Sequence, residues 1–193
     1  MQVGNVPSTL RIVDYSHGLT GAAHDASAFE HTAAFRFPDF LFQGKEFAWA
    51  DSAYPLGERM IPVHRQPASN RHENAIFDKS VSHLCICSEH CMGALKGHFQ
   101  CLHGLCVAIN SPDDHIRATS WITCAIILHN LVIDVEGGAA NAELQEMHGQ
   151  LEEDTGVGNQ EDEEDEDENP GHAKQQELVA QLLAYCQSVG IPF

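Results

Sequence analysis

The sequence predicts an α/β fold, followed by an acidic segment without regular structure and a C-terminal helix. Short apolar runs rich in β-branched or aromatic residues predict strands at 10–15, 47–50 and 59–63. Apolar residues that recur every three or four positions predict helices that begin at Ser88 and at Ser111. This order of strands and helices is typical of an α/β or mixed fold.

Local signals in the first half of the chain place the remaining elements. Asp25 is in position to cap a short helix over 26–31. The apolar strand at 47–50 is followed directly by Asp51, so a buried strand would present a carboxylate at its C-terminal edge. Residues 64–75 are polar and irregular, and they predict a loop.

Two long helices are expected in the second half of the folded part. The first is predicted from an apolar set at helical spacing, which consists of Met92, Leu95, Phe99, Leu102 and Leu105. The second begins with a capping Ser111, a proline at the first helical position, and two acids that face the positive end of the helix dipole. Gly137 is expected to end it.

The charge of the chain is concentrated near its C-terminus. The 193 residues carry a net charge of −18, yet residues 134–177 alone hold sixteen acidic residues and one basic residue. The part before them is nearly neutral, so it lacks the dense cationic surface of a tight non-specific nucleic-acid binder. Glu161–Glu168 is an unbroken run of eight acids, which repels itself and cannot bury enough surface to order the chain.

These patterns divide the chain into three parts. Residues 1–136 are predicted to form the folded domain, 137–172 an acidic disordered segment, and 173–193 an amphipathic helix that Gly190 ends. An acidic segment of this kind is either a solvated tail or a site for a basic protein partner.

The sequence also excludes some classes of protein. The N-terminus has no basic stretch leading into an apolar core, so a secretory signal and a disulfide framework are not expected. The most apolar run, 121–133, is too short to span a bilayer. We therefore expect a soluble intracellular protein that has no membrane partner and whose cysteines are free thiols or metal ligands.

Three stretches carry residue types that are typical of catalytic sites. They are Gly-Ala-Ala-His-Asp at 21–25, Trp-Ala-Asp-Ser-Ala-Tyr-Pro at 49–55, and Ser-Glu-His at 88–90, with Leu-His-Asn at 128–130 in the next helix. In this order and spacing, the set resembles the DDE superfamily endonuclease domain of harbinger-type transposase-derived proteins, with the fungal group most similar. The resemblance extends over about two thirds of the chain, from Thr9 to Glu136.

The resemblance implies an RNase H-like fold, an incomplete mixed sheet with flanking helices, and a DNA substrate cut and rejoined with divalent metal. Two-metal cleavage of phosphodiesters needs hard oxygen ligands, which suit Mg²⁺ or Mn²⁺. Asp51 matches the second metal-binding Asp of the family, and Glu89 matches its catalytic Glu. A nuclear location follows from the DNA substrate.

The resemblance also suggests supporting and DNA-binding residues. His24 and Asp25 match a motif that we expect to support the loop near the site, although Asp25 has helix capping as an equal alternative. Lys96 and Arg71 are the candidates for phosphate contact.

One departure from the family concerns the third carboxylate. In the family, the first metal-binding Asp lies well upstream of the motif at 21–25, on a strand of its own. The only Asp before His24 is Asp14, which matches a different strand position. We therefore expect an N-terminally truncated domain without its first strand, and impaired catalysis.

Two alternatives to an enzyme remain open at this point. A degenerate copy or a domesticated protein could act as a non-catalytic interaction module. A zinc-binding module could use the Cys/His cluster at 83–106, although this segment has no Cys-x-x-Cys pair, and free, partly buried cysteines explain it as well.

Overall fold

The computed structural model describes residues 1–19, 25–104, 107–136 and 169–190. Within these ranges, the strands are β1 (Gln2–Val6), β2 (Arg11–Ser16), β3 (Ala48–Ala50) and β4 (Met60–Pro62). The α-helices there are α1 (Asp25–Phe29), α2 (Ala33–Arg36), α3 (Pro38–Leu41), α4 (His72–His98), α5 (Pro112–Glu136) and α6 (Pro170–Val189). The chain divides into unit 1, which is Met1–Ala33 with Ile86–Asp154, and unit 2, which is Ala34–Cys85 with Thr155–Phe193.

Unit 1 is built on the antiparallel pair of β1 and β2, with Gln2 opposite Ser16 and Val6 opposite Arg11. The predicted strand at 10–15 is confirmed as β2, whereas β1 is not apparent from the sequence. Leu10 ends the turn between the strands with a φ of 58°, which is unusual for a residue other than glycine. Its side chain is completely buried, so core packing holds it in this conformation.

The core of unit 1 lies between β2, the second part of α4, and α5. Its buried members are Leu10, Ile12, Cys91, Ala94, Leu95, Ala125 and Ile126. Helix α5 begins at Pro112, as predicted, and the Gly137 that is expected to end it lies outside the described residues. Ser111 Oγ accepts a hydrogen bond from the backbone N–H of Asp114 (3.2 Å) and donates one to its carboxylate (2.8 Å), so both residues of the predicted cap take part.

Helix α4 corrects the helix predicted from Ser88. It begins sixteen residues earlier, at His72, in what the sequence indicated was a loop, and it ends at His98. Phe77 and Val81, four residues apart, are both buried in unit 2. This tertiary packing stabilises the first part of α4, for which the local sequence contains no clear helix signal. Leu102 lies beyond the helix in a 3-10 turn, Gln100–His103, and Leu105 lies outside the described residues.

Unit 2 contains the parallel pair of β3 and β4, on which the first part of α4 and helix α6 pack. Its core consists of Ile61, Phe77, Val81 and Val179, with Trp49 and other apolar side chains around them. The C-terminal helix begins at Pro170 rather than 173 because Asn169 caps it, accepting a hydrogen bond from the backbone N–H of Gly171 at 2.9 Å. Gly190 ends it at a φ of 72°, as predicted.

The described residues thus form a mixed structure of helices and small sheets, which agrees with the α/β class. Their strands are divided between two two-stranded sheets instead of one mixed sheet. Each strand makes its ladder hydrogen bonds with its own neighbour in the same unit. The RNase H-like topology and the three domain boundaries stay predictions, and most of the acidic segment, 137–168, lies outside the described residues.

Helix α5 is also long and apolar enough to cross a membrane by length and composition alone, and 28% of its most apolar window is buried. The helix is longer than the apolar run at 121–133, because polar residues extend it at both ends. The expected absence of a membrane partner stays a prediction.

Candidate functional site

Asp51 lies at the carboxyl end of β3, as the sequence predicts. Its side chain is exposed, and its Oδ1 accepts a hydrogen bond from the backbone N–H of Ala53 at 2.9 Å. This bond closes a tight turn in which Asp51 caps its own loop. The turn holds the carboxylate at the strand end and leaves Oδ2 without a described hydrogen bond.

A second pair of polar residues lies in the same unit and was not singled out in the sequence. His64 follows β4, and its backbone N–H and ring Nδ1 lie 2.8 and 2.7 Å from Asp78 Oδ1. Because β3 and β4 are parallel, their carboxyl ends share an edge, and Arg65 Nε donates to Ser52 O at 3.0 Å across it. The one feature of the sequence that could have pointed to this pair is the position of His64, immediately after the strand predicted at 59–63.

The other oxygen of Asp78 is distinctive. Its Oδ2 is buried and has no hydrogen-bond partner among the described residues. His64 also packs edge-on against Phe77, with ring centroids 5.5 Å apart. The imidazole is therefore held by Asp78 through a hydrogen bond and by Phe77 through this ring contact. The edge of this small sheet therefore carries the exposed carboxylate of Asp51 and the fixed imidazole of His64, and α4 supplies the buried carboxylate oxygen of Asp78.

Glu89 belongs to unit 1 and is exposed on α4. The expectation that it lies at a helix start is wrong, because α4 begins at His72 and Glu89 is well inside it. Its neighbour Ser88 donates to Asn5 Oδ1 at 2.8 Å, which fixes this part of α4 against β1. The geometry thus places Glu89 on a well-anchored helix in contact with solvent.

The donors of the described residues do not assemble a metal centre. The described ranges contain no group of three or more His, Cys, Asp or Glu side chains able to hold a metal ion. Two-metal catalysis needs several oxygen ligands around ions about 4 Å apart. The described residues therefore do not fit the expected Mg²⁺ or Mn²⁺ pair, and we derive no catalytic step through it.

The remaining predicted site residues are placed as follows. His24 lies outside the described residues, and Asp25 is the first residue of α1. Lys96 is half-buried near the end of α4 in unit 1, and Arg71 is exposed immediately before α4 in unit 2. Their supporting and phosphate-binding roles stay predictions.

The Cys/His cluster includes one firmly placed thiol. Cys91 is completely buried, and its thiol donates to the carbonyl oxygen of Leu10 at 3.3 Å. Burial raises the pKa of Cys91 to about 12, which favours the neutral thiol over the thiolate that zinc requires. Cys106 lies outside the described residues. The described members of the cluster thus give the zinc alternative no support.

His129, from the Leu-His-Asn motif, also lies against the carbonyl oxygen of Leu10. The ring is completely buried, and its Nε2 donates to Leu10 O at 3.1 Å. Its Nδ1 lies 3.3 Å from His98 Nδ1. A neutral ring that donates through Nε2 accepts at Nδ1, so His98 is the donor of this bond. Burial lowers the pKa of His129, the Leu10 carbonyl partly opposes this, and the nearby His98 lowers it further.

We expect His129 to make unit 1 less stable in mild acid. The unfolded chain takes up a proton near the ordinary histidine pKa of 6.5, whereas folded His129 resists it. Its contribution to stability is therefore complete above that value and is lost as the pH falls towards the lowered folded pKa. The free energy of unfolding, measured by urea at about pH 7.5 and about pH 5.5, should fall more in the wild type than in His129→Gln. Equal losses in the two proteins would contradict this assignment.

Unit 1 also has a surface cavity of about 400 Å³ that the sequence did not indicate. Its lining includes Tyr15, Ser16, His17, Gly18, Leu19, His31, His115 and Thr119. Gly18 has a φ of 86°, and a Cβ there would lie 3.2 Å from the His115 ring, so a side chain would narrow the cavity. The lining contains three imidazoles, those of His17, His31 and His115.

Comparison with known proteins agrees with the motifs. A family model for the DDE superfamily endonuclease matches residues 1–130, which is about two thirds of the chain. Neither the curated proteins nor the solved structures gave a significant match. The matched family implies a DNA substrate and generally uses divalent metal. The matched segment contains Asp51, Glu89 and the Leu-His-Asn motif, and the chain belongs to the DDE superfamily endonucleases.

Proposed function

We propose that this chain is a harbinger-type, transposase-derived endonuclease domain with an RNase H-like ancestry that acts on DNA phosphodiester bonds in the nucleus. The family match over residues 1–130 is the observation that carries the proposal. The position of Asp51 at the end of a parallel strand supports it, since strand ends are where α/β folds place reactive groups.

The proposal assigns roles to the residues that match the family motifs. Asp51 and Glu89 are the carboxylates required for divalent-metal cleavage, and Lys96 and Arg71 contact phosphate. His24 and Asp25 support the neighbouring loop. Because the described donors do not assemble a metal centre, the assignment concerns which residues the reaction needs and not how they bind the ions.

A plasmid-nicking assay tests the enzymatic proposal. The full chain should convert supercoiled plasmid to the open-circular form with Mg²⁺ or Mn²⁺, and EDTA should stop the reaction. Asp51→Asn and Glu89→Gln should each reduce the rate at least about 100-fold, because each removes a carboxylate that the proposal assigns to the reaction but keeps the side-chain shape. Asp39→Asn and Glu73→Gln, two exposed carboxylates outside the motifs, are matched controls that should keep the wild-type rate.

The placement of the carboxylates favours a second candidate, a non-catalytic descendant of the same family. Asp51 uses one oxygen to cap its own turn, and the described residues bring no third donor to it. A protein of this class would bind DNA without cutting it, and its affinity would fall steeply with salt. Lys96→Gln and Arg71→Gln would then weaken binding uniformly across DNA sequences.

The two candidates give different results in the same experiments. Metal-dependent nicking that both carboxylate variants lose supports the enzyme. Salt-dependent DNA binding without nicking supports the non-catalytic descendant. Nicking that survives in Asp51→Asn and Glu89→Gln contradicts the residue assignment. Absence of both cutting and DNA binding contradicts both candidates and leaves a protein-interaction role, for which the acidic segment is the proposed site for a basic partner.

A further inference from the structure

The segment from Arg59 to His72, which contains β4 and leads to the start of α4, is basic. It holds three arginines and two histidines and no Asp or Glu, in a chain whose net charge is −18. A run of cations without acids gives a local positive potential that attracts anions. The contacts of the three arginines decide which of them can bind a ligand.

The three arginines are used differently. Arg59 Nη1 donates to two backbone carbonyl oxygens, at 2.6 and 2.9 Å, so it holds a loop of unit 2 together. Arg71 is exposed. Arg65 is half-buried: its Nε donates to Ser52 O at 3.0 Å, whereas Nη1 and Nη2 make no hydrogen bond or ion pair with the described residues. Neither terminal nitrogen is among the buried, unpartnered polar atoms of those residues, so both are open to solvent.

The main chain at Arg65 is also fixed. On one side, the backbone N–H of His64 donates to Asp78 Oδ1 at 2.8 Å. On the other side, the carbonyl oxygen of Arg65 accepts a hydrogen bond from the backbone N–H of Ser69 at 3.0 Å. Because its Nε is bound to Ser52 as well, the guanidinium loses less conformational freedom on binding a ligand than an untethered surface arginine does.

Arg65 lies at the same sheet edge as Asp51. Ser52, which accepts the bond from Nε, directly follows Asp51. The backbone N–H of Val63 donates to Ala50 O at 3.2 Å, which continues the pairing of β3 with β4 up to this edge. No ion pair joins Asp51 to Arg65 in the part of the chain that the structure describes. The guanidinium charge is therefore not neutralised by this carboxylate and can act on a ligand beside it.

The ligand that fits this arrangement is a phosphate. A guanidinium is planar, and its remaining N–H donors form a fork that matches two oxygens of a phosphate group. A phosphate that approached the Asp51 carboxylate alone would be repelled, and a cation bound to the next residue offsets this repulsion. Because the matched family implies a DNA substrate, the phosphate would belong to a DNA backbone.

We propose that Arg65 is a phosphate-binding residue for DNA, in which Nη1 and Nη2 hold one backbone phosphate beside Asp51 while Nε stays on Ser52 O. The inference rests on the proposed DNA substrate but not on cleavage, so it applies to the enzyme and to the non-catalytic descendant alike. Arg65 adds to Lys96 and Arg71 a cation that is tied to the turn of Asp51. The sequence did not single it out, because its contact with Ser52 depends on the pairing of β3 with β4.

Fluorescence anisotropy of the full chain with a labelled DNA duplex of arbitrary sequence, in EDTA, tests the proposal without cleavage. The logarithm of the binding constant of the wild type should fall linearly with the logarithm of the NaCl concentration. Arg65→Gln removes one phosphate contact, so this slope should become less steep by about 0.9, and the affinity at low salt should fall about tenfold. Arg65→Lys keeps the charge and should keep the slope. It should still lose affinity, because lysine has no fork with which to hold Ser52 O and a phosphate together.

Lys45→Gln is the matched control, because it makes the same charge change elsewhere in unit 2. Lys45 is exposed and precedes β3, whereas Asp51 follows that strand. This variant should keep the salt slope and the affinity of the wild type. Urea unfolding of each variant separates binding from folding. If Arg65→Gln is less stable but keeps the wild-type salt slope, Arg65 only supports the turn of Asp51 and the proposal is overturned.

The result for Arg65 can be distinguished from the result for the endonuclease. A wild type that binds the duplex but does not nick plasmid with Mg²⁺ would contradict the endonuclease and leave the role of Arg65 intact. Wild-type affinity and slope in Arg65→Gln would overturn the role of Arg65, whatever the nicking assay shows. Equal losses in Arg65→Gln and Lys45→Gln, or a wild type that does not bind the duplex at low salt, would overturn it too.

Discussion

Asn130→Ala should lower the free energy of unfolding of unit 1 by about 3 kcal/mol. Asn130 Oδ1 accepts from the backbone N–H of Ile12 at 2.9 Å, and its Nδ2 donates to the carbonyl oxygen of Ile12 at 2.8 Å. The side chain therefore pairs both backbone groups of a strand residue that is 4% exposed. Alanine would leave a buried donor and a buried acceptor with one partner fewer, each at a cost of about 1–3 kcal/mol.

Chemical denaturation followed by circular dichroism measures this loss. Asn110→Ala is the matched control, because Asn110 is exposed just before α5, and its replacement should change stability by no more than about 0.5 kcal/mol. Asn130→Asp keeps the acceptor and loses the donor, so it should be less stable than the wild type. An Asn130→Ala variant within about 1 kcal/mol of the wild type would show that this pairing contributes little. The predicted result would identify Leu-His-Asn as a structural motif that joins α5 to β2.

Gly171→Ala should destabilise unit 2 by about 3 kcal/mol, although alanine is the better helix former by about 1 kcal/mol. A Cβ at position 171 would lie 2.8–2.9 Å from the backbone N, Cα and C atoms of Gly57. These are main-chain atoms that cannot rotate away, so α6 or the turn before β4 must move. Such a shift would also strain the hydrogen bond from Asn169 Nδ2 to Leu56 O, now 3.0 Å.

The other side of the same contact provides the control. A Cβ at Gly57 would meet nothing within 4 Å, so Gly57→Ala should leave the midpoint of urea unfolding close to that of the wild type. Thermal and urea unfolding of the two variants would be compared directly. If Gly171→Ala is as stable as Gly57→Ala, the close approach of α6 to this turn is not a constraint on unit 2. A selective loss in Gly171→Ala would show that α6 docks through its first turn.

Much of the helix architecture was predictable because its signals are local. Ser111 and Pro112 mark the start of α5, and Gly190, which has a left-handed backbone conformation, ends α6. The Asp51 turn at the end of β3 was predictable for the same reason, since an aspartate that follows an apolar strand commonly caps a turn. These features depend on neighbours within a few residues.

Features that depend on distant residues were missed. Helix α4 extends back to His72 because Phe77 and Val81 pack in a core completed by Val179, about a hundred residues further along the chain. Strand β1 contains Gly4 and Asn5, which are poor strand residues, and it exists because β2 pairs with it. The contact between His64 and Asp78 requires α4 to begin early, so it could not be inferred from a loop assignment.

The sequence by itself determined the family, the motif residues Asp51, Glu89 and Asn130, the start of α5 and the C-terminal end of α6, because motifs and caps are short-range chemistry. The tertiary structure alone decided that the two carboxylates fall in separate units, that His129 and Asn130 bind the backbone of the β2 region, and that α5 keeps an apolar face exposed. Burial and donor geometry depend on which distant segments meet, and composition and periodicity do not encode that choice locally.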